Sequence, residues 1–399
     1  MRSRPFCVVP RCSSSAAGRI LPGSQPGGSE MSNTATRSQE VVFPQDSPVF
    51  LERFISYGAG MRACMLAAIG VRLGLFSALW RSPARAEVLA ARAGVAPRYA
   101  EEWAKGATCA GYLTHEPADD RFSLPPEVAA VLVDETSPVY FAPAVESMLV
   151  LDEQQILTKL ERAFRDGSGI PESAYGPRWQ ETLDAQARAF ADHLLVQEWL
   201  PSVPGLEQRL AAGCDVADVG CGGGRVVIRL AQEFPNSRFT GIDISETAVE
   251  LARERVSAAG VGHRVNFVLA DGSDRLPGTY DVVVAFDVLH HAASPVAFLR
   301  SMRGARRDGG VCLLQEPNVP ETLAELAGTR GTLVYGASLQ YCLPAAIAAG
   351  GPGLGAVVPD TQIRKLALEA GFDSLEKVAS APLWAFYSLG DRARADRDE

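Results

Sequence analysis

The stretch VADVGCGGGR, residues 216–225, joins a short apolar strand to a glycine-rich turn and leads into the helical sequence VVIRLAQEF. Glycine lets the backbone pass close beneath a ligand, and the start of the helix offers free N–H groups and a positive dipole to an anionic group. Glycine-rich turns also occur simply to pack a helix against a sheet. The turn formed by Gly220, Gly222 and Gly224 therefore favours a nucleotide-type site, and the spacing of later residues tests this interpretation.

Acidic residues end the next two predicted strands. RFTGID ends in Asp243, where nucleotide-binding folds place an acid that accepts hydrogen bonds from ribose hydroxyls. The alternative role is an N-cap for the next helix, for which Ser245 is better placed. VNFVLAD ends in Asp271, which can accept a hydrogen bond from an adenine amino group while the backbone of Gly272 lies under the ring. A simple turn would use the same two residues.

After residue 212 the sequence alternates between strands and helices, which is typical of parallel strands with crossover helices. The pattern predicts a doubly wound α/β sheet with an insertion at 319–360, and an insertion of that length usually serves a site or a lid. The seven predicted strands are DVADVG, RFTGID, VNFVLAD, YDVVVAFD, GVCLLQE, SLEKVAS and LWAFYSL.

The region before the sheet is predicted to be mainly helical. MRACMLAAIGVRLGLFSALW, residues 61–80, is apolar nearly all round and is expected to be buried on several sides. Two helical stretches at 86–94 and 96–112 precede LTHEPADDRFSL, which contains two short strand-like runs, so the order is that of a winged helix. The predicted organisation is a disordered extension at 1–45, a winged-helix-like domain at 46–135, a helical linker and substrate cap at 136–212, the sheet domain at 213–390 and a tail at 391–399.

Composition narrows the class of protein. The 399 residues carry a formal net charge of -9, which argues against a nucleic-acid partner because such affinity comes largely from Lys and Arg. No uninterrupted apolar run approaches the roughly 18 residues that a membrane span needs. The eight cysteines form no C-x-x-C pair, so we expect neither a metal site nor a disulfide framework. A cytoplasmic protein without a membrane partner is predicted.

The first thirty residues contain four arginines and one acid among Ser, Gly and Pro, and they are predicted to be disordered. Two interpretations stay open for this segment. Translation begins at Met31, as the abundant Ala, Arg and Gly of the whole chain suggest, or the segment is a transit peptide. Neither predicts a catalytic role.

The series VADVGCGGGR, GID, ADG, YDVVVAFDVLHHAASP and RDGGVCLLQEP resembles class I S-adenosylmethionine-dependent methyltransferases over about residues 213–390. The resemblance implies a seven-stranded Rossmann-like domain with S-adenosyl-L-methionine as the cofactor. In this comparison Asp218 supports the amino-acid end of the cofactor, Asp243 binds the ribose, and Asp271 with Gly272 contacts the adenine. The cofactor-binding residues implied are Asp218, Gly220, Gly222, Gly224, Asp243, Ile244, Asp271, Gly272 and Phe286.

The upstream segments AAIGVRLGLFSAL, AGYL and VQEWLP, with YGAS and GGPGLG, are similar to those of bacterial small-molecule methyltransferases with an N-terminal winged-helix domain. The resemblance implies a homodimer, a substrate pocket closed by the N-terminal domain and a role in secondary metabolism. The would-be recognition helix, APRYAEEWAKG, carries two consecutive glutamates, so we expect no binding to DNA.

The sulfonium methyl is already activated, so an enzyme of this type orients a nucleophile and, where required, removes a proton. FDVLHH places Asp287, His290 and His291 at the carboxyl edge of the sheet, and these are the predicted catalytic residues. A histidine titrates near neutrality and can deprotonate a hydroxyl. An LHH sequence can instead pack the following helix, and His291 stands where the resembling subfamily usually has Asp.

The acceptor pocket is predicted from aromatic residues in the cap and the insertion. Such rings can enclose a flat substrate or contact the sulfonium, although each is also a candidate for the core. The predicted pocket residues are Tyr175, Trp179, Tyr335, Ser338 and Tyr341. Glu316, at the end of the fifth strand, faces the substrate or bonds backbone amides. The absence of an N/D-P-P-Y/F motif after the fourth strand argues against methylation of nucleobase or glutamine amide nitrogens.

Three functions stay open from the sequence. The first is methyl transfer to oxygen, nitrogen or carbon of a small molecule. The second is a cyclase in which the cofactor's own amine attacks its methionine chain and methylthioadenosine leaves. The third is a ligand-sensing transcriptional regulator.

Overall fold

The computed structural model describes residues 47–391. The predicted extension at 1–45, the question of Met31 and nearly all of the predicted tail lie outside the described residues. The chain divides into two compact units, of which the first ends at Phe54 and the second begins at Ile55. Within the described residues the first unit comprises only the opening turns of the first helix.

The N-terminal region has the winged-helix order predicted from the sequence. Gly74, with a φ of 67°, lies between the first helix and the second. The two short strands pair antiparallel, and Phe122 of the second strand packs with Phe76 and Trp103 in one apolar core. The elements are α1 (Ser47–Arg72), α2 (Leu75–Leu79), α3 (Ala86–Ala93), α4 (Pro97–Cys109), β1 (Thr114–Glu116), β2 (Arg121–Ser123) and α5 (Pro126–Leu132).

Helix α1 differs from the expectation that its apolar residues are buried on several sides. Only Ala67, Ala68 and Gly70 of this helix are buried, whereas Met61 is 65% exposed. The small residues pack on one side, because Gly70 lies directly against Phe76 and Trp103. By length and composition α1 is the one helix among residues 47–391 that is able to cross a membrane, and a single helix of this kind is weak evidence for a span.

A second helical region links the winged helix to the sheet. Its helices carry one aromatic cluster and the charged residues described below with the site. The elements are α6 (Ala142–Glu153), α7 (Ile156–Asp166), a 3-10 turn (Glu172–Tyr175), α8 (Pro177–His193), a π-helical turn (Leu195–Trp199) and α9 (Leu206–Ala212).

The seven predicted strands all form, and they build one sheet in the order β5-β4-β3-β6-β7-β9-β8. The strands are parallel except for β9, which runs antiparallel to both of its neighbours. The strands are β3 (Asp215–Val219), β4 (Arg238–Asp243), β5 (Val265–Leu269), β6 (Tyr280–Phe286), β7 (Arg306–Pro317), β8 (Ser374–Ser380) and β9 (Trp384–Gly390). The crossover helices are α10 (Arg225–Glu233), α11 (Glu246–Ala258), α12 (Pro295–Ala305) and α16 (Asp360–Glu369).

The strand order reverses between β3 and β6, and ligands of open α/β sheets bind in the crevice at such a switch point. Apolar residues cover both faces of the sheet. On one face Phe190 and Trp199 stack with Phe286 and Phe386, with ring centroids 5.6–6.1 Å apart. These layers hold the carboxyl ends of β3, β4 and β6 side by side.

The insertion between β7 and α16 is mostly helical rather than an open loop. It contains α13 (Leu323–Leu326), α14 (Thr329–Ala337), a π-helical turn (Ser338–Cys342) and α15 (Leu343–Ala348). The amide of Ile170 donates to the carbonyl of Pro344 at 2.9 Å, and Gly169 lies so close to the backbone of Ala348 that a side chain would not fit. The insertion is therefore packed against the segment that precedes the 3-10 turn.

Candidate active site

The glycine turn after β3 requires glycine for two separate reasons. Gly220, Gly222 and Gly224 have φ values of 78°, 52° and 76°, in the left-handed region that side chains disfavour. A Cβ on Gly220 would lie 2.5 Å from Val288, whereas a Cβ on Gly222 would meet nothing within 4 Å. The turn is thus closely packed at Gly220 and open at Gly222, the side on which a ligand can approach the backbone.

Asp243 lies at the end of β4, directly beside this turn. Its Oδ2 accepts a hydrogen bond from the amide of Gly222 at 2.8 Å, and its Oδ1 accepts one from Ser245 at 2.9 Å. The N-cap of α11 is Ser245, whose hydroxyl oxygen accepts from the amide of Ala248. Asp243 is therefore not the cap, and each carboxylate oxygen keeps a second lone pair for a ligand. Burial raises the pKa of Asp243, while the backbone hydrogen bonds lower it.

Asp218 lies one strand away, on β3, and is only 3% exposed. Among the described residues its Oδ1 has no hydrogen-bond partner. Burial, and after it the charge of Asp243, raise the pKa of Asp218 to about 8. An unpartnered buried carboxyl oxygen at this edge fits a polar ligand group such as an ammonium.

The remaining predicted cofactor residues divide into two groups. Ile244 is 65% exposed beside Asp243, and Asp271 accepts from the amide of Ser273 at 2.7 Å in a tight turn. A Cβ on Gly272 would lie 2.6 Å from Phe298, so this position also requires glycine. The ring of Phe286, in contrast, belongs to the aromatic stack on the sheet, so its side chain serves the core.

A buried histidine–glutamate pair lies at the ends of β6 and β7. Nδ1 of His290 is 2.6 Å from Oε2 of Glu316, and Oε1 of Glu316 accepts from the amide of Leu289 at 2.9 Å. The sequence left two roles open for Glu316, facing the substrate or bonding backbone amides. In the structure Glu316 bonds a backbone amide and also His290. Burial alone would lower the pKa of His290, but the carboxylate of Glu316 raises it well above its usual value.

His291 adjoins this pair and faces the insertion. Its ring centroid is 4.1 Å from that of His290 and 5.0 Å from that of Tyr341. Burial, and then the neighbouring His290, lower the pKa of His291 well below its usual value. Asp287 adopts a φ of 56°, rare for a residue other than glycine, and burial raises the pKa of its carboxyl. Such strained backbone is concentrated at functional sites.

Three of the predicted pocket residues form one aromatic cluster, Tyr175, Trp179 and Tyr341, with ring centroids 5.0–5.5 Å apart. Tyr175 is fully buried and its hydroxyl donates to the carbonyl of Gln340 at 2.9 Å, so it supports the other two rings. The hydroxyl of Tyr341 donates to Glu172 at 3.5 Å. Sequence reasoning missed Glu172. The available signal was its position, three residues before the predicted pocket residue Tyr175.

The other two predicted pocket residues lie outside this cluster. Ser338 is 6% exposed, and its hydroxyl accepts from the amide of Ala356 at 2.9 Å, so it holds two parts of the insertion together. Tyr335 lies on α14 and is 45% exposed.

A charged clamp that the sequence did not predict joins the helical cap to the glycine turn. Asp184 of α8 accepts from Arg225 at 2.8 Å and from Arg255 at 2.6 Å. Arg255 also donates to the carbonyl of Gly223 at 3.3 Å. The available signal was the position of Arg225 in the first turn of α10, where the helix dipole disfavours a cation that has no acidic partner.

Comparisons with known proteins identify two domains in this chain. The family described as a methyltransferase domain matches residues 210–348, and an Rv2258c-like winged helix-turn-helix domain matches residues 61–134. The ubiquinone biosynthesis O-methyltransferase of Nitrosospira multiformis is 28% identical over 45% of this chain and 72% of its own length. A Pseudomonas aeruginosa protein of the same name is 31% identical, and the chain spans 49% of its length.

Solved structures share the fold over most of the chain. Human N-acetylserotonin methyltransferase, determined with S-adenosylmethionine, superposes with a TM-score of 0.66 at 17% identity, over 88% of this chain and 99% of that one. The chain is thus a class I S-adenosylmethionine-dependent methyltransferase with an N-terminal winged-helix domain. The predicted fold class, enzyme class and cofactor are confirmed. The domain boundaries and the roles of individual site residues remain predictions.

Proposed function

We propose that this enzyme transfers the methyl group of S-adenosylmethionine to a hydroxyl of a small, flat molecule in bacterial secondary metabolism. The observation that carries the proposal is the position of two adjacent histidines, one buried and one partly buried. His290 and His291 follow the carboxyl end of β6, which adjoins β3 at the switch point of the sheet, and His291 lies against Tyr341 of the aromatic cluster. A relative that is 28% identical over 45% of this chain is named an O-methyltransferase, which supports oxygen as the acceptor atom.

The cofactor end of the site is assigned to residues from three neighbouring strand ends. Gly222 offers an open backbone to the cofactor, Asp243 has free lone pairs for the ribose hydroxyls, and Asp271 with Gly272 contacts the adenine. Asp218, with its unpartnered oxygen, supports the amino-acid end. S-adenosylmethionine, when bound there, supplies the electrophilic methyl group.

The acceptor end is assigned to His290, His291 and Asp287. Glu316 fixes the orientation of His290 through Nδ1, and His291 lies between His290 and the ring of Tyr341. An acceptor hydroxyl held against these rings needs only alignment with the methyl group and loss of its proton. The rings of Trp179 and Tyr341 provide an apolar wall for a flat acceptor.

The product of the reaction tests this proposal against cyclisation. Purified protein is incubated with S-adenosylmethionine alone and then with phenols, aliphatic alcohols and matched amines, and the products are separated by mass. S-adenosylhomocysteine formed only with hydroxyl acceptors is the expected result. Methylthioadenosine released without an acceptor, or methylation of the amines alone, would reject it.

We also propose a cytoplasmic homodimer that forms through the exposed apolar side of α1. Ile55, Tyr57 and Met61 of this helix are each more than 60% exposed, and such a surface is typical of an interface. Light scattering after gel filtration should give a dimer for the natural chain and a monomer for a Tyr57→Ser, Met61→Ser double variant. A natural chain that is monomeric, or one that floats with lipid vesicles, contradicts the proposal.

DNA binding is not part of the proposed function. On α4 the cations are paired with acids of the same helix, Arg98 with Glu102 and Lys105 with Glu101. Few free cations therefore remain on this helix for phosphates. A gel-shift titration at low salt with no retarded band is the expected result.

A further inference from the structure

The cluster formed by His290, His291 and Cys342 has the composition of a metal site. Each side chain offers one ligand atom, and these three atoms all lie within 4.8 Å of one another. His290 and Cys342 are buried and His291 is partly buried. Two imidazole nitrogens and a thiolate form a donor set that suits zinc, with a fourth position left open as in catalytic zinc sites.

The surroundings of His290 match those of a metal-bound histidine. Its Nδ1 is engaged by Glu316 at 2.6 Å, which leaves Nε2 as the nitrogen available to an ion. Metal-binding histidines usually donate their second ring N–H to a carboxylate, which fixes the ring and its tautomer. Glu316 is itself fixed by the amide of Leu289, so the orientation of His290 is determined without an ion.

The third ligand comes from the insertion. Cys342 ends the π-helical turn Ser338–Cys342, which also carries Tyr341. Such turns interrupt a helix at functional sites and turn its side chains to new directions. Cys342 thus reaches the histidines from the insertion, although no C-x-x-C spacing marks it in the sequence.

The size of the cluster is compatible with a bound ion. Zinc–nitrogen bonds of about 2.0 Å and zinc–sulfur bonds of about 2.3 Å place tetrahedral ligand atoms roughly 3.5 Å apart. Since the three ligand atoms lie no more than 4.8 Å apart, no pair of them has to approach by more than about 1.3 Å. Rotation of the Cys342 and His291 side chains provides such a change, while His290 stays fixed by Glu316.

We propose that His290, His291 and Cys342 bind one Zn²⁺ ion, whose open position faces the aromatic cluster and accepts the hydroxyl oxygen of the methyl acceptor. The position next to Tyr341 supports this direction, since the ring of His291 lies against it. The binding of the ion goes beyond the proposed function and does not depend on it. Only the identity of the fourth ligand rests on the proposed methyl transfer.

Cobalt is the probe that tests the site, because a thiolate bound to Co²⁺ gives a near-ultraviolet charge-transfer band. The full chain, purified without a histidine tag and stripped with a chelator, is titrated with Co²⁺. We expect one cobalt per chain and a band that is lost in Cys342→Ser. His291→Asn should weaken cobalt binding, and Glu316→Gln should weaken it roughly 10–100-fold, as for other second partners of metal-bound histidines.

Matched controls separate the site from general metal binding and from misfolding. Cys109→Ser changes an exposed cysteine and His263→Asn a histidine outside the cluster, so both should keep the band. Binding of S-adenosylhomocysteine to each variant reports on the fold. A natural chain that binds this ligand but gives no cobalt band, or a band that persists in Cys342→Ser, overturns the metal site. Cobalt binding in a protein that methylates no acceptor rejects only the proposed function.

Discussion

The cofactor end and the acceptor end of this site are built in different ways. The cofactor end comes from consecutive strand ends, and its key contacts join the turn at Gly222 to Asp243 at the tip of the adjacent strand. The acceptor end brings together Tyr175 and Trp179 from the cap, His291 from the segment after β6 and Tyr341 from the insertion. The first is fixed by backbone geometry and the second by side-chain packing. We infer that cofactor binding resists change, whereas acceptor choice depends on a few contacts.

The largest expected effect is a loss of stability when the buried pair of His290 and Glu316, at the acceptor end, is broken. Glu316→Ala removes the carboxylate that holds His290, with both side chains almost fully buried, and should lower the free energy of unfolding by about 3–5 kcal/mol. Urea denaturation measures it. Glu316→Gln keeps the shape of the side chain and should lower the free energy of unfolding by less than the alanine variant does. A loss below about 1 kcal/mol for the alanine variant would show that water replaces the carboxylate.

The next effect tests the clamp that joins the two ends. Asp184→Ala leaves Arg225 and Arg255 without their shared acid, and we expect a loss of about 1.5–3 kcal/mol in stability. Because Arg255 also bonds the carbonyl of Gly223, the dissociation constant of S-adenosylhomocysteine should rise in calorimetry.

The control for the clamp is Asp192→Asn. Asp192 lies 4.0 Å from Arg225 and is more exposed than Asp184. Its loss should therefore change the free energy of unfolding and the dissociation constant of S-adenosylhomocysteine only a little. Equal effects of the two substitutions would contradict the clamp.

A smaller effect is expected at the ribose contact of the cofactor end. Asp243→Ala should weaken binding of S-adenosylmethionine by about 1–3 kcal/mol, because a charged hydrogen-bond partner is lost. Calorimetry measures the affinity. Asp274→Ala, which changes an acid outside the proposed cofactor contacts, is the comparison. Unchanged affinity in Asp243→Ala would reject the ribose assignment.

The pH dependence of stability provides the fourth prediction. Burial and Asp243 raise the pKa of Asp218 to about 8, against about 3.9 for an unfolded chain. The folded protein then holds more protons than the unfolded chain between these values, so this group's stabilising effect is complete below about pH 4 and is lost as the pH rises towards 8.

Asp218→Asn removes that group. From pH 5 to 8 the natural chain should therefore lose stability relative to Asp218→Asn. Above pH 8 the difference in unfolding free energy between the two proteins should become constant. Denaturation at a series of pH values measures it. A difference that does not vary with pH would show that Asp218 is ionised in the folded protein.

The sequence by itself determined the seven strands, the glycine turn and the acid at Asp243. Alternating apolar strands and obligatory glycines are local patterns, and parallel strands place their carboxyl ends at one edge regardless of distant contacts. The order of elements in the winged helix was predictable for the same reason. The sequence also predicted the apolar character of α1. It did not predict that these residues are exposed, because sequence does not show which apolar surface packs against another part of the chain.

Only the tertiary structure decided how the distant residues meet. The bond between His290 and Glu316, the clamp on Asp184 and the approach of Cys342 to the histidines each join segments far apart in the chain. Their pairing depends on how the cap and the insertion pack on the sheet. No local spacing records that packing, because a side-chain contact is set by the summed geometry of every element between its two partners.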